Sequence, residues 1–189
     1  MKLKKQIEEY KPCNMQEEKD KEMAIKYIET FDNILTRENE FAHITSSAWL
    51  VNKERTKVLF AYHKQYNAWA WTGGHNDGEE DCLKTAIREA KEETGIQNVI
   101  PVSENIFSIE ILTVSGHIKK GKYVSAHQHI NITFLLEASE EEELKIKEDE
   151  NTGVKWFNID ELLENVTEAE MITIYEKLIN KVKEEETYG

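Results

Sequence analysis

A chain of 189 residues is long enough for one domain with a sizeable core, and its net charge of −13 argues against a nucleic-acid backbone or an anionic membrane as the main partner. A small phosphorylated ligand stays open, because one bound divalent cation reverses the local sign. Two cysteines, Cys13 and Cys82, lie far apart without metal-ligand spacing, and neither a signal-like N-terminus nor a membrane-length apolar run is present, so a reducing cytoplasm is expected.

Residues 1–40 read as a helical extension ahead of a domain covering 41–189. Leu3, Ile7 and Tyr10 form a short apolar stripe that Pro12 ends, and Asn14 with Glu17 reads as the cap of a second helix. On that helix Ala24, Tyr27, Ile28, Phe31, Ile34 and Leu35 recur at helical spacing. From Ala42 the period becomes that of strands. Ile44–Val51 and Lys57–Tyr62 form a hairpin across the polar link Asn52–Thr56, and Trp69 and Trp71 alternate on a short strand leading into Gly73-Gly74. Core packing is the expected role of both tryptophans, ahead of base stacking.

The next stretch, Gly74 to Ile96, reads GHNDGEEDCLKTAIREAKEETGI. Leu83, Ile87, Ala90 and Thr94 mark a helix face that packs inward, and Gly95 ends the helix. Glu89, Glu92 and Glu93 stand at i, i+3 and i+4, one face and one turn. Like charges at that spacing repel, and negative charge near a helix C-terminus opposes the macrodipole. Taken alone, a Glu-x-x-Glu-Glu in so acidic a chain is a solvated helix face. A hard divalent cation, Mg²⁺ or Mn²⁺, is the alternative that gives the cluster a purpose, since it takes oxygen ligands and leaves positions for phosphate.

The flanks decide between these. Gly74, Glu80, Arg88-Glu89, Ala90, Lys91, Glu92-Glu93, Thr94, Gly95 and Ile96 match the Nudix box at every defining position, and the chain resembles a Nudix hydrolase from about residue 41 onward. That resemblance implies that Glu89, Glu92 and Glu93 hold the metal. It further implies that Glu89 or a nearby carboxylate deprotonates the attacking water, and that Arg88 with Glu80 braces the loop containing Gly73 and Gly74. Thr72 stands where a proline is common and His75 where a third glycine is common, which affects loop stiffness and substrate fit.

Beyond the box, Val99–Val102 and Ile106–Val114 read as strands, followed by a turn and a return strand from Ser125 to Leu136. The turn, His117-Ile118-Lys119-Lys120-Gly121-Lys122, is the densest cationic spot, expected as a solvated hairpin tip rather than a phosphate clamp. On the return strand Gln128, Ile130, Ile132, Phe134 and Leu136 share a mostly apolar face, and His127, His129, Asn131 and Thr133 a polar one. The polar face is expected to line a cleft, with His75, His127 and His129 contacting substrate. Zinc in the His-x-His pair is disfavoured for want of a third ligand. The acidic run Glu137–Glu143 reads as a solvated loop. Val154–Phe157 is the last strand; Asn158 with Glu161 caps a short helix, and Thr167 with Glu170 a longer one bearing Met171, Tyr175, Leu178 and Val182. By the same resemblance Glu150, ahead of Trp156, is a further carboxylate for the site, before Glu148 or Asp149.

This pattern implies an α+β fold, a Nudix-type α/β/α sandwich with a mixed sheet and the N-terminal helical extension. The expected activity is metal-dependent hydrolysis of a phosphoanhydride in a nucleoside diphosphate linked to a moiety X, by a monomer or homodimer with no nucleic-acid or membrane partner. A non-hydrolytic Nudix-fold binding module is the alternative, weakened because all the metal carboxylates are present. An isopentenyl diphosphate isomerase would need a cysteine in the early strand region, and none lies between Cys13 and Cys82.

Overall fold

Helical spacing near the N-terminus becomes two helices, α1 (Lys2–Glu9) and α2 (Met15–Thr30), in the computed structural model, which describes residues 2–119 and 121–188, with side chains through 184. Lys120, in the cationic turn, lies outside the described residues. The strands that follow are β1 (Ala42–Val51), β2 (Lys57–His63), β3 (Ala68–Ala70) and β4 (Thr72–His75). Helix α3 (Cys82–Thr94) precedes β5 (Ile100–Pro101), β6 (Ser108–Val114), β7 (His117–Lys119), β8 (Lys122–Val124), β9 (His127–Glu137) and β10 (Asn151–Asn158). A 3₁₀ turn (Leu162–Asn165) and α4 (Ala169–Tyr188) close the chain. Strand order is β10-β2-β1-β9-β5, with β3 on β2, β4 on β1 and β6 on β9. The chain divides into two units: Met1–Ser47, Gly73–Ala86 and Ser103–Phe134 in one, Ala48–Thr72, Ile87–Val102 and Leu135–Gly189 in the other.

In the first unit β6 runs antiparallel to β9, Ser108 opposite Thr133 and Val114 opposite His127. Helix α2 starts as expected, with the Asn14 side chain accepting from the Glu17 N–H at 2.9 Å. It lies along β6, where the Gln16 amide donates to the Ile109 carbonyl and Asp20 accepts from the Ile111 N–H. The helix stops at Thr30, short of the expected Leu35. Phe31 is already extended, and Ile34, fully turned inward, gives its carbonyl to the Ile44 N–H of β1 at 2.9 Å. Five residues of helical spacing thus yield to a strand partner for the same backbone.

The polar face of β9 divides in two. Asn131 and Thr133 are buried and bound to protein: Thr45 and Ser47 donate to Asn131 at 3.0 and 2.8 Å, and Asn131 and Thr133 both donate to buried Glu110 at 3.1 Å. The Ser108 hydroxyl bonds to both Glu110 and Glu17, and Glu17 also accepts from the Tyr10 hydroxyl at 2.6 Å. Burial first, and then Glu17, raises the Tyr10 phenol above its usual range. These groups meet no cleft, because satisfied protein partners replace water.

In the second unit β2 carries β10 on one side, Ala61 opposite Val154 and Leu59 opposite Trp156, and the end of β1 on the other, Val51 opposite Val58. Its core is aromatic. Tyr175 of α4 stands edge-on to Phe60 at 5.0 Å and to Trp71 at 5.4 Å, with Trp49 tilted against it at 5.7 Å. Met171, Leu178 and Val182 bury on the same helix face, as their spacing predicts. Each fully buried apolar side chain such as Phe60 or Leu178 contributes roughly 1.5–3 kcal/mol. The tryptophans do serve packing. The acidic run is not idle, since Glu140 pairs with Lys57 and accepts from Asn52, and Glu142 accepts from the Gln97 N–H. Asn158 does not cap the 3₁₀ turn. Glu161 occupies that place, and the Asn158 amide bonds to its carboxylate at 3.2 Å. No helix among the described residues is long and apolar enough to cross a membrane.

Candidate catalytic and metal site

The box begins in the first unit with a loop tied down by its own side chains. Asn76 accepts from Ser46 at 2.7 Å and donates to the Glu79 carbonyl at 2.8 Å, while Asp77 and Gly78 take positive φ. A Cβ at Gly73 would stand 2.8 Å from the Ser46 carbonyl oxygen and 2.9 Å from the Ser47 Cα, so only glycine lets β4 approach β1 there. Glu80, expected to brace the loop with Arg88, accepts from the Leu3 N–H of α1 at 3.4 Å. Asp81 receives the Lys84 N–H and so caps α3.

The face that α3 buries matches the expected one at Ala90 and Thr94 and differs from it at Leu83 and Ile87. Cys82, Thr85, Ala86, Glu89, Ala90, Glu93 and Thr94 are buried, whereas Leu83 and Ile87 are only half-covered. The stripe is set by small residues that let the helix sit close, and it carries two of the three box glutamates inward. Glu92 alone stays exposed at its side chain, by 46%. Gly95 closes the helix at φ +80°, its N–H bonded to the Lys91 carbonyl.

Around the glutamates, in the second unit, lies a chain of charges. Arg88 reaches Glu89 at 2.7 Å and Glu92 at 3.8 Å, and Lys147 reaches Glu92 at 3.4 Å and Glu150 at 3.0 Å. Glu150 is exposed, its carbonyl holding the Lys64 N–H. The Asn151 amide donates to the Glu93 carbonyl at 3.0 Å, and His63 Nε2 stands 3.8 Å from the Glu93 carboxylate. Burial pushes His63 below its ordinary range, more than the Trp71 carbonyl lifts it, so beside Glu93 it is an uncharged ring at neutral pH. Burial also raises the Glu89 carboxyl, against the pull of Arg88. Lys147 is pulled down by burial, but its bonds to Glu150 and Glu92 outweigh this and hold it high. Lys147 and His63 were not foreseen; the one trace of Lys147 is a cation three residues before Glu150 in an acidic loop.

A buried carboxylate with a raised proton affinity is charged only at a cost, which an adjacent cation removes. Donors here are carboxylate oxygens, the set a hard divalent ion takes. These residues therefore fit such an ion. His75, His127 and His129 belong to the first unit, drawn together with His43: His43 is 5.0, 4.9 and 4.9 Å from them between ring centroids.

A β-rich fold whose box helix presents these glutamates defines a class: the NUDIX domain model matches residues 42–178, and the chain belongs to the Nudix family. It is 33% identical over 140 residues to the RNA pyrophosphohydrolase of Pelagibacter ubique (strain HTCC1062), covering 71% of this chain and 87% of that one. A probable DHNTP pyrophosphohydrolase of Lactococcus lactis subsp. cremoris (strain MG1363) is 32% identical over 97 residues, 51% of this chain and 55% of its own. Among solved structures, a C. elegans Ap4A hydrolase binary complex superposes with TM-score 0.52 at 19% identity, over 77% of this chain and 98% of that one, a likeness of fold. The chain is a Nudix pyrophosphohydrolase with the α+β fold expected, an enzyme rather than a binding module, and its family works with divalent metal on small nucleotide derivatives.

Proposed function

We propose that this enzyme hydrolyses the phosphoanhydride of a small nucleoside diphosphate derivative, with Mg²⁺ or Mn²⁺ held by Glu89, Glu92 and Glu93 and with Glu150 as a further carboxylate. The carrying observation is Glu89, a buried carboxylate of the box helix whose proton affinity burial raises, one turn from Glu92 and Glu93. When bound, the cation neutralises charge on the pyrophosphate oxygens and makes water easier to deprotonate. Glu89 or a nearby carboxylate accepts the proton of the attacking water. Arg88 holds Glu89 in place and limits the rise, and Lys147 keeps Glu92 and Glu150 within reach of one another. Glu80, Gly73 and Gly74 shape the loop that enters α3. A small substrate is supported over an RNA end by the charge of −13. We further assign residues 1–40 as an extension to a catalytic domain of 41–189, acting as monomer or homodimer in the cytoplasm; the two free cysteines support a reducing compartment.

The test is a panel of dinucleoside polyphosphates, nucleoside triphosphates, ADP-ribose and sugar nucleotides, assayed with Mg²⁺, with Mn²⁺ and with excess chelator, products being identified. Turnover is expected to vanish in chelator and return with either ion. Glu92→Gln and Glu93→Gln should lower kcat severely, and Glu150→Gln more than tenfold. Full turnover in chelator, or wild-type kcat in the box variants, overturns the assignment.

A further inference from the structure

The histidines of the first unit form a constellation of their own. His43 stands near the start of β1, His75 at the end of β4, and His127 and His129 two apart on one face of β9. One ring nitrogen each from His43, His75 and His129 can be chosen so that all lie within 4.8 Å of one another. In a tetrahedral zinc site with Zn–N near 2.0–2.1 Å such nitrogens sit about 3.3 Å apart, a contraction within reach of small χ rotations.

Two of the rings are also turned for ligation. His43 Nδ1 faces the Asn39 carbonyl at 3.0 Å, and since a carbonyl only accepts, the proton is on Nδ1 and the Nε2 lone pair is bare. That Nε2 is buried without a hydrogen-bond partner, and so is His129 Nε2. Two such buried atoms are costly unless something binds them. Neutral rings are kept so by their surroundings. Burial, followed by the neighbouring Arg37 and histidines, holds His75 down to about 3, and burial with the other histidines holds His129 down to about 2. Lys119 acts on both in the same direction, and Arg37 is itself tied to Asp77 by paired bonds of 2.8 and 2.7 Å. No proton therefore competes for these lone pairs at neutral pH.

We propose that His43, His75 and His129 form a second metal site, selective for a transition ion of the Zn²⁺ type, with a fourth position open to water or an anion. Three imidazoles and no carboxylate suit Zn²⁺, Co²⁺, Ni²⁺ or Cu²⁺ and give Mg²⁺ nothing to prefer. The Asn39 carbonyl orients the first ligand, as outer partners of metal-bound histidines do. His127, with Nδ1 turned to the Ser125 carbonyl at 2.8 Å, borders the ion. The site is separate in its residues from the glutamates, and either assignment can fail alone.

The experiment is a Co²⁺ titration of the metal-depleted enzyme in excess Mg²⁺, read by the visible d–d bands of low-coordinate cobalt and by metal stoichiometry, followed by displacement with Zn²⁺. One equivalent is expected, with bands that Zn²⁺ abolishes. His75→Gln and His129→Gln, each checked by melting for an intact fold, should weaken Co²⁺ at least tenfold, and Glu92→Gln should leave the bands in place. Absence of the bands from wild type overturns the site and returns His75 and His129 to direct substrate contact. Bands that survive in both folded histidine variants, or vanish in Glu92→Gln, overturn it equally.

Discussion

Glu89 shows how one residue's burial decides its chemistry. Its spacing to Glu92 and Glu93 was legible in the sequence, because the box is a matter of intervals. Its burial was not, because Leu83 and Ile87 made the stronger claim to the inward face and lost it to the small residues Cys82 and Ala86, while Ala90 kept its expected place. The consequence is a pH dependence of stability. Between 4.5, the ordinary carboxyl value, and the raised value in the folded protein, the unfolded chain gives up its proton first, so rising pH penalises the folded state. In chelator, wild type and Glu89→Gln should therefore melt alike below that window, and Glu89→Gln should melt higher above it. Adding Mg²⁺ should raise wild type and not the variant, by mass action. A variant that melts lower at pH 7 in chelator would show that the Arg88 bond outweighs burial.

At the scale of elements, strands with one apolar and one polar face were read correctly as strands, and the fate of the polar face was not. Asn131 and Thr133 find Glu110, Thr45 and Ser47 on other strands, partners that no interval within β9 can announce. The end of α2 escaped for the same reason: the carbonyl of Ile34 answers to β1. Close approach of β4 to β1 carries its own test. Gly73→Ala must move the Ser46 and Ser47 backbone, which costs about 1–3 kcal/mol. Differential scanning calorimetry should record a fall of roughly 2–4 °C per kcal/mol at this size. An unchanged Tm would mean that the strands separate there without penalty.

For the whole molecule the box alone was enough to indicate family and fold, whereas the histidine cluster was legible only as His75, His127 and His129, without His43. It is assembled from β1, β4 and β9, and His43 carries no spacing relation to the others. Net charge, legible from the first, acts on everything the enzyme meets. Among triphosphate-ended substrates, kcat/KM at low salt should drop as an attached oligoribonucleotide lengthens. The drop should shrink near 0.15 M salt, where the screening length is about 8 Å. Equal rates for a long RNA and a mononucleotide at low salt would overturn the small-substrate assignment.

The residue that closes α3 has a reach beyond its own turn. A Cβ on Gly95 would fall 2.6 Å from Lys145 Cβ and 2.9 Å from its nitrogen, which is bonded to the Thr94 carbonyl at 2.8 Å, and the φ of +80° disfavours any side chain. Lys147 follows two residues later, and Glu150 three after that. One methyl group on Gly95 would thus tug the loop presenting both. In a genetic screen, Gly95 is where a heat-sensitive allele would arise. In a mutational library its tolerance should be as narrow as that of the glutamates it follows.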